Sequence, residues 1–173
     1  MALAAGGLLS LPAWANGWNR TTVESTGHLL STEPANVLAG MVDTLIPTTD
    51  TPGANELAVP QFVQKMVADC YDKATQANLV KGLTTLDELA RQTYGKGFAD
   101  GDAKQRTDLL NRLAQTTDAD QKAFYDLVKG LTIRGYLTSE YVMTNLTHFE
   151  PIPGYYHGCV PVAAKAATAA PAK

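Results

Sequence analysis

The sequence predicts an all-α protein: one compact domain of about five to six helices, followed by an irregular segment rich in proline, glycine and tyrosine. Apolar residues recur at spacings of three and four through most of the chain, as on the buried face of a helix. No stretch alternates apolar and polar residues with the period of two that is typical of strands. The length of 173 residues suits a single domain with its own hydrophobic core.

The first helix is predicted to open at Thr32, which we expect to act as its cap, with Pro34 in the first turn. Pro47 ends it, and residues 48–53 form a tight polar turn whose side chains can bond their own backbone. The apolar face of this helix consists of Leu38, Met41, Val42, Leu45 and Ile46.

A second helix is predicted to begin near Pro60 and to place Cys70 on its apolar face, pointing inward. A third runs from about Gln76 to Tyr94, where Gly95 is suited to terminate it. The apolar positions of these two helices are Phe62, Val63, Met66, Val67, Tyr71, Leu79, Leu83, Leu86, Leu89 and Ala90.

A short helix is predicted over residues 103–114, and a longer one follows a capping pair formed by Thr117 and Asp120. Thr138 or Ser139 can cap a last short helix that ends at Leu146. The inner face of the longer helix is expected to hold Phe124, Leu127, Val128, Leu131 and Gly135. Beyond it, Pro151, Pro153 and Pro161 exclude regular helix.

Several function classes are disfavoured by composition and motif. The net charge is −3 and no basic stripe is present, so nucleic-acid binding is not expected. No apolar run reaches the length of a transmembrane helix. The glycine-rich nucleotide motifs and the C-x-x-C-H haem motif are absent, and the three histidines lack metal-ligand spacing. We therefore expect no catalytic, cofactor-binding or metal-binding residues in this chain.

The N-terminal region differs from the rest. Residues 1–15 are small and apolar and end in Ala-Trp-Ala, which predicts the remnant of an export signal cleaved before Asn16. The alternative interpretation is a short N-terminal arm, since the charged part of a signal does not precede the apolar run. We expect an irregular arm over 16–31, the helical domain over 32–162 and a mobile Ala-rich tail over 163–173.

The two cysteines, Cys70 and Cys159, form an even pair without the C-x-x-C spacing of a metal or redox motif. In an oxidising compartment they would close one long loop, which the loop-entropy model values at about 4.5 kcal/mol. The alternative is a pair of buried free thiols. We expect the disulfide.

Aromatic residues crowd the last third of the chain, where Tyr136, Tyr141, Phe149, Tyr155 and Tyr156 occur. They either pack over the helical core or form an interface, where tyrosine is enriched. As interface residues we select Tyr136, Thr138, Ser139, Glu140, Gly154, Tyr155, Tyr156 and His157.

Three segments resemble the gluconate 2-dehydrogenase subunit 3 family, the small subunits of periplasmic FAD-dependent sugar and glycoside dehydrogenase complexes. They are residues 43–54 (DTLIPTTDTPGA) with 59–62 (VPQF), residues 131–140 (LTIRGYLTSE) and residues 153–161 (PGYYHGCVP). Their order and spacing together carry the resemblance.

The resemblance implies a non-catalytic subunit that helps a large flavoprotein to assemble and to reach the periplasm as a folded complex. The flavoprotein would hold FAD and oxidise a sugar, sugar acid or glycoside, and a cytochrome c subunit or another acceptor would take the electrons. Members commonly carry a twin-arginine signal, whereas no Arg-Arg pair precedes the apolar run here. The alternatives are a free-standing periplasmic chaperone or binding module with another client, and a small enzyme in its own right.

Overall fold

The computed structural model describes residues 29–150, 152 and 154, and these residues form a helical domain. No strand occurs among them, so the predicted all-α class is confirmed. The elements are five α-helices, α1 to α5, and a final π-helical segment; in chain order they span Thr32–Leu45, Val59–Cys70, Lys73–Tyr94, Ala103–Ala114, Ala119–Leu137 and Val142–Leu146.

Helix α1 lies at the centre of the domain and packs against each of the other four α-helices. Its side chains Leu38, Met41 and Val42 are completely buried, as the apolar spacing predicts. Two aromatic rings complete the core: Phe98 from the turn between α3 and α4, and Phe124 from α5. Burial of a large apolar side chain is worth about 1.5–3 kcal/mol, so this contiguous core is the main support of the fold.

Helix α3 begins at Lys73, three residues earlier than predicted, because Asp72 caps it. The Asp72 carboxylate accepts a hydrogen bond from the backbone N–H of Thr75 at 2.9 Å. The C-terminal prediction is confirmed: Gly95 adopts φ 70°, a left-handed conformation that glycine reaches without steric cost.

Two other predicted caps are wrong. Ser31 occupies the N-cap position of α1, and Thr32 is already helical. At α5 the cap is Asp118, whose carboxylate accepts from the backbone N–H of Gln121 at 3.0 Å, in place of the pair Thr117 and Asp120. In both cases the N-cap is the residue whose backbone is extended just before the helix. Which residue adopts that conformation depends on how the preceding chain enters the helix.

The buried side chain of Gln76 joins α2 to α3. Its amide nitrogen lies within 3.0–3.2 Å of the carbonyl oxygens of Val67, Ala68 and Tyr71. These are carbonyls at the C-terminal end of α2, where no intrahelical donor is available. Its amide oxygen accepts from the Lys73 ammonium at 3.0 Å, so both ends of the side chain are paired.

The predicted inward orientation of Cys70 is wrong: its side chain is exposed. The buried stripe of α2 runs through Val59, Val63 and Val67 and stops there, because α2 itself ends at Cys70, at the margin of the core. Cys70 has no disulfide partner among the residues that the structure describes, and Cys159 lies outside them. The predicted pairing therefore stays a prediction.

Candidate partner interface

Helix α5 contacts α2 closely near its C-terminal end. A Cβ atom added to Gly135 would lie 2.6 Å from a ring carbon of Phe62 and 3.2 Å from a methyl of Val59. The distance to Phe62 is shorter than the Cβ contacts found in folded proteins and the distance to Val59 is tighter than most of them, so the absence of a side chain at Gly135 is what permits this approach.

The next residue, Tyr136, connects α5 to the turn that follows α1. Its half-buried phenol donates a hydrogen bond to the carbonyl oxygen of Pro52 at 3.3 Å and lies 3.4 Å from the hydroxyl of Thr51. The sequence segments 43–62 and 131–140, far apart in the chain, therefore meet in the folded domain.

The turn itself is braced internally. The Thr48 hydroxyl donates to the carboxylate of Glu56 at 2.6 Å and accepts from the backbone N–H of Gly53 at 3.3 Å. The N–H of Ala54 donates to the carbonyl of Ile46 at 3.0 Å, closing the base of the turn. A Cβ on Gly53 would overlap the Thr48 side chain and backbone at 2.6–2.7 Å, so only glycine fits there.

A group of exposed apolar side chains begins beside Tyr136. All large apolar residues that are exposed within the described part of the chain lie between positions 133 and 152, and we name this group the apolar rim. It consists of Ile133 (43% exposed), Leu137 (53%), Leu146 (46%), Phe149 (55%) and Ile152 (86%). Several exposed apolar side chains within one short part of a chain are candidates for an interaction site.

The π-helical segment shapes the second half of the apolar rim. The N–H of Thr147 donates to the carbonyl of Val142 at 2.9 Å, and that of Phe149 donates to the carbonyl of Met143 at 2.7 Å. His148, two residues after the end of the segment, adopts φ 49°, a left-handed conformation. Short π-helices often occur at functional sites. The predicted last helix to Leu146 thus exists, with a wider winding over 142–146.

The interface residues selected from the sequence occupy several environments. The hydroxyl of Thr138 donates to the carbonyl of Arg134 at 2.8 Å, and that of half-buried Ser139 donates to the carbonyl of Tyr136 at 2.7 Å. Glu140 and Gly154 are exposed. The remaining three, Tyr155, Tyr156 and His157, lie outside the described residues.

Sequence reasoning missed Ile133, Leu137, Leu146 and Ile152 as surface residues. A usable signal was present in α5. The buried stripe passes through Phe124, Val128 and Leu131, whereas Ile133 and Leu137 are spaced by four on a different face. When a helix is apolar on two faces and the core covers only one of them, the other face is available to a partner.

The titratable groups with perturbed pKa values lie outside the apolar rim; they are the N-cap Asp72, Arg91 and Tyr94 of α3, and Asp108 of α4. The Tyr94 hydroxyl donates to the Asp108 carboxylate at 2.7 Å; this bond is the largest cause lowering the pKa of Asp108 and raising the pKa of Tyr94. Arg112, whose guanidinium lies 2.9 Å from Asp108, lowers the pKa of that carboxyl further. The bond between Tyr94 and Asp108 connects α3 to α4.

Within residues 29–150, 152 and 154, no three His, Cys, Asp or Glu side chains are grouped as metal ligands. None of the helices described there is both long and apolar enough to cross a bilayer.

The fold and this surface define an all-α domain with an apolar edge of the kind that protein interfaces use. The family model described as "Gluconate 2-dehydrogenase subunit 3" matches residues 32–154, and the chain belongs to this family. As the family description states, it is a subunit of a dehydrogenase complex, and the resemblance of the three segments predicted this family. Comparisons with curated proteins and with solved structures give no match.

Proposed function

We propose that this chain is the non-catalytic small subunit of an FAD-dependent dehydrogenase, and that it assembles with, stabilises and helps export the large flavoprotein subunit. The observation that carries the proposal is the apolar rim, present in a chain whose family is named as a dehydrogenase subunit. A subunit needs a surface that its partner covers, and in this proposal the apolar rim is that surface.

The energetics favour a stable complex. Removing a large aliphatic or aromatic side chain from water is worth about 1.5–3 kcal/mol when burial is complete. The five rim side chains retain between 43% and 86% of their exposure, so a substantial part of that gain is still available to a partner. Permanent complexes bury more than about 2,000 Å² over apolar surfaces, and the apolar rim would form the centre of such an area.

The chemistry belongs to the partner in this proposal. The large subunit holds FAD and oxidises a sugar, sugar acid or glycoside, and a cytochrome c subunit or another acceptor takes the electrons. Export as a folded complex to the periplasm follows, because a flavoprotein must bind its cofactor before it leaves the cytoplasm. The small subunit would carry the export address and cover apolar surface of its partner.

The Cys70–Cys159 disulfide is part of the proposal. Exposure of the Cys70 side chain supports it, since an exposed thiol can form a bridge without opening the helical domain. Counting thiols on the unfolded protein without reductant tests the pairing. We expect no free thiol in exported protein and two after reduction; two free thiols before reduction would exclude the bridge.

The experiment that tests the proposed function is co-expression with an FAD-dependent dehydrogenase large subunit from the same organism, followed by affinity capture of the small chain. We expect a complex that contains FAD, and export of the flavoprotein only when both chains are present. A flavoprotein that is active and exported alone, without binding this chain, would contradict the proposal. Capture of a client that holds no flavin would favour the free-standing chaperone instead.

Paired variants test the role of the apolar rim. Leu137→Glu places a charge at an exposed position of the apolar rim and should weaken the complex by at least about tenfold. Gln92→Glu introduces the same charge at an exposed position of α3 and serves as the matched control. Equal affinities of the two variants would show that the apolar rim is not the contact surface.

A further inference from the structure

The turn of residues 47–52 is largely exposed to solvent and is nevertheless fixed by several contacts. Positions 47–50 are exposed, yet the turn is fixed by the Thr48 hydroxyl, by the close approach at Gly53 and by the phenol of Tyr136. The N–H of Thr49 also donates to the carbonyl of Thr51 at 3.1 Å across its tip. None of these contacts buries the tip.

Two side chains at the tip take no part in this bracing. Within the described residues, Thr49 and Asp50 have no side-chain hydrogen bond or ion pair. The contacts described above fix the backbone of the turn, which carries the side chains of Thr49 and Asp50. The result is a hydroxyl and a carboxylate presented to solvent on a rigid support.

The turn borders the apolar rim. Tyr136, which holds Pro52, follows the rim residue Ile133 by three positions in α5, a spacing that places the two side chains on the same side of the helix. A polar, well-ordered element beside an apolar surface is the arrangement of a protein interface, in which a polar margin surrounds an apolar centre.

We propose that the turn 47–52 is the polar part of the large-subunit interface, with Thr49 and Asp50 as contact residues and Tyr136 as a positioning residue. This inference rests on the proposed function. The partner surface that fits is an apolar patch flanked by hydrogen-bond donors, such as backbone N–H groups or an arginine facing Asp50. Rigidity of the turn favours binding, because a loop that is already ordered loses little entropy in the complex.

Hydrogen exchange on the complete complex tests the inference. We expect the amides of residues 48–51 to exchange more slowly in the complex than in the free chain. Asp50→Lys should weaken the complex by at least about tenfold without changing the melting temperature, since the Asp50 side chain makes no contact that stabilises the domain. Glu88→Lys, an acid-to-lysine change on the exposed face of α3, is the matched control and should bind normally.

The role of Tyr136 has its own readout. Tyr136→Phe keeps the ring and removes the bond to Pro52, so the free variant should exchange faster at 48–51 and bind more weakly. Faster exchange with unchanged affinity would exclude a positioning role.

Failure of the inference can be told apart from failure of the proposed function. If the wild-type complex forms and Leu137→Glu disrupts it, while Asp50→Lys and exchange at 48–51 are unaffected, the turn is outside the interface. If the wild-type chain does not bind the flavoprotein, the proposed function itself fails, and the inference with it.

Discussion

The phenol of Tyr136 donates a hydrogen bond to the carbonyl oxygen of Pro52 at 3.3 Å, across 84 positions of the chain. One neighbour of Tyr136 is packed against α2 and the other is exposed in the apolar rim. Three successive residues at the C-terminal end of α5 therefore have different roles. Gly135 packs against α2, Tyr136 binds the turn after α1, and Leu137 belongs to the proposed partner surface.

Removal of the Tyr136 hydroxyl should lower the free energy of unfolding by about 1 kcal/mol, because a half-buried hydrogen bond contributes about 0.5–1.5 kcal/mol. Urea denaturation of Tyr136→Phe measures this loss. Tyr125 is also half-buried, and its hydroxyl has no hydrogen bond within the described residues, so Tyr125→Phe should be neutral. Equal effects of both changes would show that the bond to Pro52 is not stabilising.

Alanine substitutions at three helical glycines should change the free energy of unfolding in different directions: two should destabilise the domain and one should stabilise it. A methyl on Gly82 would overlap the ring of Phe124, which is fully buried and cannot move aside, so Gly82→Ala should cost about 1–3 kcal/mol. Gly135→Ala should cost a similar amount, because its methyl meets Phe62. Around Gly130 there is open space, and Gly130→Ala should stabilise by about 0.5–1 kcal/mol through helix propensity. Thermal unfolding gives the order, and a stabilising Gly82→Ala would show that the helices can separate there.

Gln76→Met should destabilise the protein by about 1–3 kcal/mol, since it leaves carbonyl oxygens at the end of α2 without their donor. Methionine matches glutamine in length and is a good helix former, so the change tests the amide group and not packing. Gln92→Met, at an exposed site of the same helix, is the control and should lie within about 0.5 kcal/mol of wild type. A neutral Gln76→Met would mean that water replaces the amide.

The bond between Tyr94 and Asp108 should make stability depend on pH. The pKa of Asp108 is lowered in the folded state, so its contribution is complete above about pH 4, the ordinary aspartate value, and is lost as the pH falls through the lower folded pKa. The pKa of Tyr94 is raised, so the bond is also lost as the pH rises above about 10. The melting temperatures of wild type and Tyr94→Phe should therefore converge below about pH 4. A difference that stays constant into strong acid would contradict this linkage, and Tyr125→Phe serves as the matched loss of a tyrosine hydroxyl.

The helices could be predicted because each carries its own signal. The period of the apolar residues and the terminal Gly95 are local properties, and they suffice for α1, for α4 and for the end of α3. The caps Ser31 and Asp118 were missed, since several neighbouring residues have suitable side chains and the backbone conformation selects among them.

The interface residues selected from the sequence stay a prediction, and the structure adds exposed apolar residues that were not among them. Tyr136 was selected as a contact residue, but in the structure its hydroxyl is already bonded to the turn, and this leaves Leu137 as the exposed neighbour. Cys70 was expected inside because it shares the apolar face of α2, and spacing along a helix does not reveal where neighbouring helices stop covering that face.

The sequence by itself determined the all-α class, the approximate extent of the helices and the family, because each depends on patterns read along one stretch of chain. Only the tertiary structure decided which apolar residues stay exposed, which glycines mark close helix contacts and that residues 47–52 lie beside the end of α5. These depend on distances between segments far apart in the chain, and packing alone sets such distances.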